Sequence, residues 1–157
     1  MNKTKYILIF SSIFLAGCIT TFFFEGEYRK LIRSFFKYFQ GEHIDFWGKN
    51  FHLFGTWYFV LAFGAFCTLL AVFTCKITIR LRLLILAITV ILFFLSSFIT
   101  SYIDSTQTVA ACTKCRNGVS LIHFNTINYD FHFIIALIIA LLPGLFFFLK
   151  NAAIRNL

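Results

Sequence analysis

Four stretches of the chain, residues 6–24, 55–75, 83–103 and 131–149, contain no Asp, Glu, Lys or Arg, and each runs for 19 to 21 residues. At about 1.5 Å of rise per residue, a helix of that length crosses the roughly 30 Å hydrocarbon layer of a bilayer. A soluble fold would have to bury all four, and a chain of 157 residues with 60% hydrophobic and 13% charged residues has too little polar sequence to cover them. The expected class is therefore an all-α integral membrane protein. It would form a single domain over residues 1–157, a four-transmembrane-helix bundle with outer loops at 25–54 and 104–130.

The net charge of +8 does not argue for nucleic acid, because small multi-pass membrane proteins carry basic excess for topological reasons. With the N-terminus inside, seven of the 14 Lys and Arg fall on each side. The inner seven crowd into short segments at helix ends, including "KITIRLR", whereas the outer seven are spread over two longer loops that also hold all six acids. Density favours both termini inside, in the cytoplasmic membrane of a bacterium. His43, His52, His123 and His132 then lie outside or at the outer margin. With no charged residue in any span, a proton- or ion-coupled transporter is disfavoured.

In the first outer loop, Tyr28, Leu31, Ile32, Phe35, Phe36 and Phe39 recur at helical spacing opposite Arg29, Lys30, Arg33 and Lys37, with Gly41 as a stop. Such a basic amphipathic helix suits the membrane interface, its apolar face in the acyl chains. Periodicity serves equally well for a helix that packs on the bundle. Along the second span, Gly64, Thr68, Ala71 and Cys75 share one face, a small-residue stripe that lets another helix approach. In the second outer loop, Asn117-Gly118 between short β-prone runs predicts a small extracytoplasmic β-hairpin.

Just before that turn stands the one compact run of reactive chemistry, "ACTKCRNGV". Outside the cytoplasm Cys112 and Cys115 are expected to be oxidised, which makes a local disulfide the simplest reading. Lys114 and Arg116 flank Cys115 and would favour its thiolate, so thiol–disulfide exchange with these two as the catalytic residues is a second reading. Zinc held by Cys112, Cys115, His123 and His43 is a third, without the paired histidine spacing of the common zinc motifs. In the first span "LAGC", after a Lys-bearing start and an apolar run, resembles a bacterial lipoprotein signal box. That resemblance implies lipidation of Cys18 and removal of residues 1–17. The continuation "ITTFFF" stays apolar and suits one unbroken span instead.

The four spans and single CxxC resemble the plan of the quinone-linked disulfide oxidases and vitamin K epoxide reductases, which implies electron relay through that pair. Those families also use a second, loop-borne cysteine pair, whereas Cys18, Cys67 and Cys75 lie within the spans here. In general plan the chain also looks like the small, basic, four-span immunity proteins that protect bacteria from pore-forming toxins. With no nucleophile constellation and no residue pattern that names a cofactor, the leading expectation is a non-catalytic protein that works by contact. It would be an accessory, assembly or immunity-type subunit whose partners are the lipid bilayer and another membrane protein or a second copy.

Overall fold

The computed structural model describes residues 3–48, 56–75, 77–111, 115–116 and 119–155. Four helices long and apolar enough to cross a membrane dominate it: α1 (Lys3–Gln40), α2 (Trp57–Thr74), α3 (Ile79–Ala110) and α4 (Tyr129–Arg155). They run alternately up and down. α1 packs mainly on α2 and α3 on α4, with further contacts between α2 and α4 and between α1 and α3.

Two helices outrun the apolar windows. α1 has 38 residues and α3 has 32, or about 57 and 48 Å of helix, well beyond the roughly 30 Å of hydrocarbon. One inner stripe, Gly17, Thr21, Glu25, Tyr28, Ile32 and Phe36, follows α1 through most of its length, and every member is buried. This corrects the expectation of a separate interfacial helix. Tyr28, Ile32 and Phe36 are 1%, 0% and 1% exposed in the bundle core, and Leu31 and Phe35 pack against it. Phe39 lies 4.6 Å from Phe98 and 5.1 Å from Tyr102, ring to ring. The reason is mutual: α3 continues to Ala110 beside α1, so the amphipathic stretch covers its apolar face with protein. Segments 25–40 and 104–110 are accordingly helix rather than loop.

On α3 the buried positions Ile85, Thr89, Phe93, Ser97, Ser101 and Ser105 recur every four residues. The serines form a small-residue seam that admits the rings of its neighbours. Tyr28 Oη is 3.2 Å from Ser97 Oγ, and Gln40 donates to Ser105 Oγ at 3.2 Å. Around Tyr28 gather Phe59, Phe93 and Phe133, with Phe59 and Phe133 stacked at 4.2 Å. Such pairs add about 0.5–1.5 kcal/mol each beyond area burial.

Helices α1 and α2 cross at glycines. A Cβ on Gly17 would sit 3.0 Å from Gly64 Cα, and Cys18 Sγ donates to the Val60 carbonyl at 3.5 Å. Of the small stripe on the second span, Gly64 makes this close approach. Thr68 and Ala71 are half-buried, and Cys75, at the end of α2, is exposed. α1 runs unbroken through "LAGC", so Cys18 lies in a helix–helix contact.

At the end of the bundle opposite Lys5 and Arg82, α1 ends at Gly41, whose φ of +53° suits glycine. A short 3-10 turn (Gly41–His43) leads to β1 (Ile44–Trp47). Strand β2 (Cys115–Arg116) pairs antiparallel with β3 (Val119–His123), which is the expected hairpin, its turn residues 117–118 lying outside the described residues. The sheet also gains β1, which runs parallel to β3 and gives the order β1-β3-β2.

Candidate functional site

Beneath this cap, where α1, α2 and α4 meet, a buried ion pair organises the capped end. Glu25 and Arg29 stand one turn apart on α1, so their side chains meet. Arg29 Nε and Nη2 both donate to Glu25 Oε1, at 2.9 and 2.7 Å. Glu25 Oε2 accepts the backbone N–H of Thr56 at 2.9 Å, which ties the start of α2 to α1. The Arg29 guanidinium also lies over the rings of Tyr129, at 4.7 Å, and Phe59, at 5.4 Å. A buried pair is tolerable only when such contacts replace the water that both charges lose.

A second polar pair lies deeper than the sequence suggests. His132 is 0% exposed, with Nε2 2.9 Å from Asp104 Oδ2 and Nδ1 3.0 Å from Thr100 Oγ1. The apolar windows exclude charges, but the bundle interior at its capped end does not, because α1 and α3 extend past them. Both acids are matched by a basic partner, an arrangement that fixes helices against one another.

Next to the ion pair opens a crevice of about 500 Å³, lined by Arg29, Thr56, Asn125, Thr126, Ile127, Asn128, Tyr129 and Asp130. α4 begins at its wall, with Asn128 Oδ1 accepting the Phe131 N–H as a cap. Among the described residues, three buried polar atoms in and beside the crevice have no hydrogen-bond partner: Tyr129 Oη, Asp130 Oδ1 and Arg33 Nη1. The Arg33 guanidinium instead lies over the Phe124 ring at 4.9 Å. Unpartnered buried polar atoms are uncommon and costly in folded chains. Here they cluster at one opening.

Cys112 and the side chain of Cys115 lie outside the described residues. The backbone of Cys115 pairs with Ser120 on β2, at the sheet edge. The β1–β3 ladder begins at Ile44, just after His43, and ends at Trp47 opposite His123. The two histidines of the zinc reading therefore stand at opposite ends of the ladder and are not brought together. The His123 ring packs on Trp47 at 4.8 Å, and its Nδ1 accepts the Asn125 N–H. Among the described residues no group of three His, Cys, Asp or Glu is placed to hold a metal ion.

Sequence reasoning missed the Glu25–Arg29 pair as a site, although its four-residue spacing was in view. Comparison of the chain with models of known protein families, with characterised proteins and with solved structures finds no match.

Proposed function

We propose that this protein is a small multi-pass membrane protein that acts by contact, presenting the capped end of a rigid four-helix bundle to another membrane protein or to a second copy of itself. The observation that carries this reading is the crevice beside Arg29, where Tyr129 Oη, Asp130 Oδ1 and Arg33 Nη1 lack partners. A polar partner segment that supplied donors and acceptors there would remove their desolvation cost. The Glu25–Arg29 ion pair and the Asp104–His132 hydrogen bond support scaffolding over ion transport, since a relay needs a group free to change partners. On the orientation argued from the cations, this end faces away from the cytoplasm. An accessory, assembly or immunity-type role fits such a surface.

A photo-crosslinking residue at Asn125, which is exposed at the rim, tests the proposal in native membranes. It is expected to form an adduct with a specific protein or with a second copy, and Tyr129→Phe and Asp130→Asn should reduce the yield. Because Tyr129 Oη makes no hydrogen bond among the described residues, Tyr129→Phe should leave unfolding stability within about 0.5 kcal/mol of the parent. Monomer alone at every crosslinker position around the rim would contradict the contact role. The rival reading, thiol–disulfide exchange through Cys112 and Cys115, draws support from Cys115 standing on the edge strand β2. It would make function depend on both thiols and leave the rim variants silent.

A further inference from the structure

At the basic end the bundle is not closed. The Gly17–Gly64 crossing holds α1 and α2 together near the middle of the bundle. Toward the N-terminus of α1 a gap opens between the helices. The gap is a crevice of about 490 Å³ between α1, α2 and the start of α3, walled by Tyr6, Phe10, Ile13, Leu70, Ala71 and Leu86. This lies within the roughly 300–1,000 Å³ of ordinary ligand sites. One charged side chain, Arg82, contributes to its lining. Arg82 Nη2 donates to the Cys75 and Ile77 carbonyls at 3.3 and 3.5 Å, which anchors the guanidinium where α2 gives way to α3. Its buried Nε has no partner among the described residues. Lys5 and Arg80 are exposed on the same end.

We propose that this crevice is a binding site for one anionic phospholipid. An acyl chain lies along the apolar wall between α1 and α2, and the phosphate accepts from Arg82. The commitment to an anionic lipid rests on charge. Among the described residues, the only charged one lining the crevice is an arginine with a donor to spare, and further cations stand at that end with no described acid. A guanidinium recognises a phosphate oxygen through such a free N–H, and basic groups beside a membrane helix draw anionic head groups. This inference rests on the protein being embedded in a bilayer. It does not depend on the contact role or on which way the chain is oriented.

The test is native mass spectrometry of the full chain in mild detergent, titrated with phosphatidylglycerol or with phosphatidylcholine carrying the same acyl chains. One phosphatidylglycerol per chain is expected to survive activation that strips phosphatidylcholine. Loss of a charge-assisted hydrogen bond in Arg82→Gln should lower that occupancy by about tenfold. Ala71→Phe fills the crevice without touching a charge and should abolish retention of the same lipid. Lys150→Gln, which removes a cation from α4 outside the crevice, should change nothing. Because Arg82 also braces the α2–α3 junction, thermal unfolding is followed for each variant. If Arg82→Gln unfolds, the lipid preference and the Ala71→Phe result decide. Equal retention of the two lipids overturns the proposal. So does phosphatidylglycerol binding that withstands Ala71→Phe, or a dimer without lipid that Ala71→Phe dissociates. Chain found in the soluble rather than the membrane fraction would instead remove the bilayer premise itself.

Discussion

Glu25→Ala is expected to destabilise the bundle by about 3–5 kcal/mol, the cost of leaving a buried arginine without its counter-charge. Glu25 and Arg29 are 3% and 5% exposed, so water cannot take the place of the lost carboxylate. Glu25 also holds the Thr56 N–H, and its removal frees the first turn of α2 from α1. The double variant Glu25→Gln, Arg29→Met should recover most of that loss, because it removes both charges and keeps the volume. Denaturant-induced loss of helical signal in micelles measures both. A Glu25→Ala chain as stable as the parent would mean that this pair does not anchor the capped end.

Gly64→Leu is expected to cost about 1–3 kcal/mol by overpacking, toward the upper end of that range. Even a Cβ at this position would lie 2.7 Å from Cys18 Sγ, 3.0 Å from Phe14 Cε2 and 3.1 Å from the Phe14 carbonyl oxygen. A thiol can rotate, but the carbonyl belongs to the α1 backbone, so the helices must separate. Ala65→Leu, one residue along and exposed, should be close to neutral in the same unfolding assay. Equal stability of the two variants would show that α1 and α2 do not pack through glycine.

The spans are legible in the sequence because a bilayer imposes a length and a composition that few other structures satisfy: three of the four windows fall inside helices, and the fourth, 55–75, takes in the whole of α2 (Trp57–Thr74). Helix ends are far less legible. "DSTQTVA" reads as loop, yet it completes α3, where Ser105 accepts from Gln40 of α1 and its threonines bond their own backbone. The amphipathic stretch 28–39 carried a correct helical period but no indication of what would cover it. That depended on the unforeseen length of α3. Gly64 was visible in a stripe of small residues, while its partner Gly17 sat in "LAGC" and drew attention as part of a processing signal. The candidate site was hardest to foresee. Its elements come from residues 25–33, 56 and 124–130, and no local pattern announces that two loop ends and an ion pair will converge. The parallel pairing of β1 with β3 joins segments more than 70 residues apart and has the same character.

The central claim is that the cap and its polar crevice stand on one side of a membrane and the basic end on the other. Single cysteines at Asn125, on the crevice rim, and at Asn151, on the exposed last turns of α4, test it most directly. They are placed in a chain whose five native cysteines are replaced by alanine, and a membrane-impermeant maleimide is applied to intact cells and then to permeabilised ones. The account predicts that Asn125→Cys is labelled from outside, whereas Asn151→Cys is labelled only after permeabilisation. The reverse pattern would place the cap in the cytoplasm, and labelling of both from outside would contradict the single crossing by α4 between them and the cation asymmetry alike.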